Sequence, residues 1–177
     1  MKALTVSVLS FFFFSCSAIK VDYDYDPQVD FDDYTTYNVY NDMDTGLSGL
    51  EEKRMLRALD AALKQKGILF SEEADLLVDI KRGLYRSQPN NTVGVGLGGT
   101  GRNLGGGINV GIPVGGAKLQ QELQFNLVDA KRDQLIWEAK SSSPYDESES
   151  PAMKDQRWQQ LLAKVFEKFP PKVENNP

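Results

Sequence analysis

Apolar residues recur along this chain in distinct rhythms, and each rhythm predicts an element. An unbroken apolar run, Ala3 to Phe14, follows the positive charge of Lys2 and gives way to the small residues Ser15, Cys16, Ser17 and Ala18. Val21, Tyr23 and Tyr25 then alternate with Asp22, Asp24 and Asp26, the period of a half-buried strand with an acidic outer face. Tyr34 to Tyr40, rich in Thr, Tyr and Val, predicts a second strand, with a turn at Asn41 to Thr45 after it. The period lengthens between Ser48 and Gly67, where Met55, Leu56, Leu59, Ala62 and Leu63 form one apolar stripe of a helix. Ser48 and Glu51 have the spacing of a capping box, and Gly67 stands where a C-terminal cap belongs. "ADLLVDIKRGLY" returns to period two, with Ala74, Leu76, Val78, Ile80 and Leu84 on one side. A strand, a helix and a strand at these lengths predict a right-handed parallel crossover.

"LQQELQFNLVDAKRDQLIWEAKS" predicts a hairpin, with Leu119, Leu123, Phe125 and Leu127 inward, a turn at Asp129 to Asp133, and Leu135, Trp137 and Ala139 inward again. After the polar loop "SSSPYDESES", Pro151 suits a first helical turn, and Trp158, Leu161, Leu162, Val165 and Phe169 recur at helical spacing until Pro170 and Pro171. Trp137 and Trp158 both lie on apolar stripes and are read as core rather than as stacking platforms. The fold class that follows is α+β: a single domain with a mixed, largely antiparallel sheet, two main helices packed on it and a glycine-rich hairpin. Residues 21–170 form that domain, and 171–177 are expected to fray.

Composition narrows the chemistry. Hydrophobic residues make up 41% and charged residues 25% of the 177, as in a folded domain with a core. Lys plus Arg number 20 against 25 Asp plus Glu, a net charge of -5, so nucleic acid is not an expected partner. There is no histidine and a single cysteine, which removes Ser-His-Asp and Cys-His nucleophiles, histidine metal sites and internal disulfides. No cofactor is expected.

The opening run has the plan of a secretory signal peptide, residues 1–15, and is well short of the ~20 apolar residues of a spanning helix. Cys16, at the end of "FFFSC", resembles the modified cysteine of a bacterial lipobox, which implies cleavage before it and acylation of Cys16. Residues 16–20 would then be a lipid-anchored segment, and more than one acyl chain holds a protein on a membrane stably. Ser17, where an inner-membrane retention signal places Asp, resembles sorting to the outer membrane, facing the periplasm or the exterior. Cleavage after Ala18, releasing a soluble secreted protein, is the alternative.

Two stretches imitate ligand sites. From Asp22, the residues Asp24, Asp26, Gln28, Asp30 and Asp33 follow the ligand spacing of an EF-hand loop, but Pro27 replaces the turn glycine and Asp33 the bidentate Glu. A strand with a solvated acidic face explains the same residues. In "GVGLGGTGRNLGGG", the dinucleotide pattern occurs at Gly94, Gly96 and Gly99, and again at Gly96, Gly98 and Gly101. A dinucleotide site needs a helix to begin there, whereas eleven of the protein's 15 glycines fall between Gly94 and Gly116, so no nucleotide is expected. Val93, Val95 and Leu97, then Ile108, Val110 and Ile112, instead predict two strands joined by a glycine-rich loop. Gly98, Gly99, Arg102, Gly105 and Gly106 in that loop are the candidate docking residues for an envelope protein partner or a membrane surface.

"VDYDYDPQVDFDDYTTYNV", "LEEKRMLRALDAALKQKGILFSEEADLLVDI" and "LVDAKRDQLIWEAKS" together resemble a bacterial lipoprotein family, the domain of unknown function 4136. The resemblance implies an envelope lipoprotein with an α+β domain, and it brings no catalytic residues. The reading is a non-catalytic, membrane-anchored binding or scaffold module. Its rival is a carboxylate-based hydrolase of envelope glycans, for which Glu122, Asp129 and Glu138 are the candidate acids.

Overall fold

The computed structural model describes residues 19–87, 92–95, 110–113 and 118–171. In chain order the elements are β1 (Lys20–Tyr25), a 3-10 turn (Phe31–Asp33), β2 (Thr36–Val39), α1 (Gly49–Gln65), β3 (Leu69–Phe70), β4 (Leu76–Ser87), β5 (Thr92–Val95), β6 (Val110–Pro113), β7 (Lys118–Asp129), β8 (Gln134–Pro144) and α2 (Pro151–Val165). Six strands form one sheet in the order β1-β8-β7-β4-β2-β3, and β5 and β6 form a second, two-stranded sheet among the described residues. β2 lies parallel to both β3 and β4, and every other pair is antiparallel. The predicted α+β class, the strand-helix-strand unit with parallel outer strands and the β7–β8 hairpin are all present. β5 and β6 pair as predicted for the stem of the glycine hairpin, with Val93 opposite Ile112 and Val95 opposite Val110.

Alternation decides which side of the sheet is dry. Leu76, Val78 and Ile80 of β4, Leu123, Phe125 and Leu127 of β7, and Trp137 and Ala139 of β8 are at most 1% exposed and share the inner face. Met55, Leu59 and Leu63 of α1 and Trp158, Leu161 and Leu162 of α2 cover it. Fully burying each such large side chain is worth about 1.5–3 kcal/mol, so this two-layer contact dominates stability. The outer face is polar, with Gln124 Nε2 donating to Asn126 Oδ1 at 3.1 Å and Asn126 Nδ2 to Asp79 Oδ2 at 3.3 Å.

Two residues predicted inward are exposed. Leu135 is 47% exposed because the β7–β8 register shifts at Leu127/Val128: Trp137 faces Leu127 and Leu135 faces Val128, so Ile136 is the extra residue. That bulge buries Ile136 and Trp137 in succession and turns Leu135 outward. Leu84, 45% exposed, lies past the stretch of β4 that the helices cover.

The helix ends also modify the prediction. α1 closes as expected: Gly67 has a φ of 82°, its N–H reaches Lys64 O at 3.1 Å, and Ile68 N–H reaches Leu63 O at 3.0 Å. These are the two bonds of a Schellman motif, with buried Ile68 completing it against Leu63. At the other end Ser48 makes no side-chain cap bond, and Glu51 turns inward instead of closing a capping box. α2 begins with Pro151 behind the Ser150 cap and ends at Val165, earlier than the apolar spacing predicts. Phe166 and Phe169 leave the helix to pack on Trp137, at ring separations of 5.4 and 5.3 Å. Both tryptophans are core residues, as predicted.

Candidate functional site

The predicted docking residues Gly98, Gly99, Arg102, Gly105 and Gly106, and the predicted lipidation residue Cys16, lie outside the described residues. What the structure places is the ground on which they stand. Lys20, the first residue of β1, is opposite Ser142 of β8; Ser142 is opposite Glu122 of β7; Glu122 is opposite Gly83 of β4. This line crosses the sheet near one end. Beyond it β8 continues for two residues, Ser143 and Pro144, and the β4–β7 ribbon runs further, to Ser87 and Lys118, which in the sequence precede β5 and follow β6. The first residue of β1, the last of β4 and the first of β7 therefore lie toward the same end of the sheet. Among the described residues no helix is long and apolar enough to cross a membrane.

The acidic stretch takes its shape from pairing rather than from a loop. Asp22 and Asp24 sit on β1, opposite Lys140 and Glu138. Asp26 Oδ1 accepts from Gln28 N at 2.9 Å, and Asp30 Oδ1 from Asp32 N at 3.1 Å, each closing a local turn. A strand through its first half replaces the wrapped loop that the EF-hand spacing requires.

The candidate acids are scattered. Asp129 is 5% exposed in the β7–β8 turn, where it accepts from Lys131 N, Arg132 N and the Tyr34 hydroxyl at 2.8–2.9 Å. Burial pushes its pKa up, but these donors outweigh burial and hold it below the usual carboxylate value. Glu122 and Glu138 lie on the outer face, and Glu138 pairs with Asn126, four residues along β7 from Glu122. That register sets their backbones roughly 14 Å apart, and the Glu138 carboxylate accepts from Gln124 Nε2 at 3.4 Å.

The most enclosed ionic cluster was not legible as such. Glu51, 6% exposed, accepts from Trp158 Nε1 at 2.7 Å, Arg54 Nη1 at 3.2 Å and Arg157 Nη2 at 3.4 Å. Arg157 also reaches Glu149 Oε2 at 2.7 Å and Gln121 Oε1 at 2.9 Å. The cluster ties α1, α2 and β7 together under the sheet end described above. One signal for it was available: Arg82, Gln121, Ser141 and Ser143 occupy inward positions of period-two strands, where polar residues need partners. On the outer side of the helices a groove of about 590 Å3 is lined by Ala58, Ala61 and Ala163, and Asp155 already pairs there with Arg54 and Arg57.

Among curated proteins none matches this chain. Of the solved structures similar to it, a PDZ domain protein from Parabacteroides distasonis superposes with a TM-score of 0.55 at 14% identity, over 86% of this chain. The chain spans 35% of that protein's length, so the likeness concerns a fold shared with part of it. PelC from Paraburkholderia phytofirmans, solved as a dodecamer, matches with a TM-score of 0.49 at 10% identity, over 84% of this chain and 95% of that one. The family model of DUF4136, a domain of unknown function, matches residues 21–171, both helices and nearly all of the sheet; the chain belongs to that family.

Proposed function

We propose that this protein is a non-catalytic envelope lipoprotein, acylated at Cys16, that presents its glycine hairpin to a partner at the outer membrane surface. The observation that carries the reading is the shared exit: β1 begins on the same cross-sheet line from which the β4–β7 ribbon runs out to the hairpin. Cys16 precedes Lys20 by four residues, which span at most about 14 Å of extended chain. An anchor there holds that end of the sheet against the bilayer, the end at which β4 and β7 lead toward the glycine-rich sequence in the chain. The membrane-proximal hairpin is then positioned for an envelope protein partner. The dispersion of Glu122, Asp129 and Glu138, and the structural duties of Asp129, support a binding role over glycan hydrolysis.

The test is the intact mass of the protein from membrane and soluble fractions of its host, for wild type and for Cys16→Ala. Membrane-bound wild type beginning at an acylated Cys16, with the variant released, is the expected result. A soluble wild type beginning at Ile19 would overturn the anchor and favour a secreted ligand-binding protein.

A further inference from the structure

On the inner face of the sheet, where α1 and α2 begin, three adjacent strands carry donors that meet no acceptor. Arg82 of β4 is opposite Leu123 of β7, two residues from Gln121, and Gln121 is directly opposite Ser143 of β8. Same-face neighbours at such positions stand about 5–8 Å apart. Gln121 and Ser143 are 1% and 4% exposed. Among the described residues, Arg82 Nε and Nη2, Gln121 Nε2 and Ser143 Oγ are buried without a hydrogen-bond partner. Buried donors in folded proteins are nearly always satisfied, so several orphans in one place point to a bound group.

The geometry specifies that group. Gln121 Oε1 is held by Arg157, so the side of Gln121 left over is its amide donor. Arg82 spends Nη1 on the Gly46 carbonyl at 3.4 Å, which leaves its whole Nε/Nη2 edge, the fork that grips two oxygens of one anion. Arg82 makes no ion pair among the described residues. The Tyr145 ring binds the arrangement together, with its centroid 4.6 Å from the Arg82 guanidinium carbon and 5.0 Å from that of Arg157. The protein's net charge is -5, yet here Arg54, Arg82, Lys154 and Arg157 stand against Glu51, Glu149 and Asp155, and two helix N-termini add their partial positive charge.

We propose that Arg82, Gln121 and Ser143 form a binding site for a phosphate group, carried by free phosphate or by a phospholipid head group. A carboxylate has two oxygens, both engaged by the Arg82 fork, whereas a phosphate has further oxygens for Gln121 and Ser143. The site lies one residue pair from the Lys20 line across the sheet. The head-group form rests on the membrane-anchored reading; the free-phosphate form does not.

Thermal unfolding of the purified full-length chain, in potassium phosphate against potassium chloride at matched ionic strength, tests the site. Phosphate is expected to raise the wild-type Tm saturably. Arg82→Met should weaken the apparent affinity about tenfold or more, and Gln121→Leu combined with Ser143→Ala about threefold or more. No wild-type response, or an equal response in wild type and variants, means buried water or an adventitious ion only and overturns the site. If Arg82→Met does not fold, the Gln121/Ser143 variant decides by the same criterion. Vesicles of phosphatidylethanolamine and phosphatidylglycerol that displace phosphate identify the head group as the ligand; phosphate binding unaffected by them identifies the free ion. A wild type found soluble in its host leaves the phosphate titration unchanged.

Discussion

Glu51 shows how much one residue can hold when it is buried among cations. Its carboxylate compensates Arg54 and Arg157 and accepts from Trp158 Nε1. Glu51→Ala leaves those groups desolvated and unpaired, so a loss of about 3–5 kcal/mol is expected in urea unfolding. Glu51→Gln, which keeps an acceptor for Trp158, should lose less. A loss under about 1 kcal/mol for the alanine variant would show that the cluster adds little. Asp129 makes the complementary case through pH. Its folded pKa is depressed, so its contribution is complete above about pH 4 and is lost as pH falls through the folded value. Asp129→Asn should therefore flatten the fall of stability below about pH 4, read as urea midpoints across that range. An unchanged slope would assign the acid sensitivity elsewhere, Asp75 being the next candidate, since the Thr36 hydroxyl holds its pKa down as well.

Elements were legible from sequence where local rhythm decides them. The α1 stripe, the β4 alternation and the β7–β8 turn each depend on residues close in the chain, and each stands where the pattern places it. What the pattern could not supply was pairing between distant segments. β1 joins β8 across more than a hundred residues, and β3, only Leu69 and Phe70, exists because β2 offers it an edge. The bulge at Ile136 arises from the register of two strands, so no single-strand rhythm announces it. Glu51 was misread as a cap for the same reason: its partners lie on another helix. The C-terminal end of α1 is the opposite case, a local signal that holds. A Cβ on Gly67 would meet nothing within 4 Å, so the cost of Gly67→Ala is conformational alone, about 1–2 kcal/mol, measurable as a lower urea midpoint. No loss would mean that the turn relaxes to a negative φ.

At the scale of the whole molecule, two helices cover one face of the sheet, and among the described residues no element packs on the other face. That division separates the sheet and helices that carry the core from the β5–β6 pair, which forms a sheet of its own among the described residues. Deleting Gly98 to Gly106 is expected to leave the urea midpoint within about 0.5 kcal/mol of wild type while abolishing association with envelope partners. Cross-linking before and after the deletion measures the second effect, and retained cross-links would place the contact elsewhere. The phosphate site was hidden from sequence reading because Arg82, Gln121 and Ser143 come together only once β4, β7 and β8 are side by side.

The pairing of β1 with β8 also has a mechanical consequence. A tether ahead of Lys20 pulls β1 along its own axis, while its hydrogen bonds to β8 run across that axis through six consecutive residue pairs. Under the proposed anchor the load falls in shear on all of those bonds together rather than peeling them singly, so the first strand resists being pulled off the core.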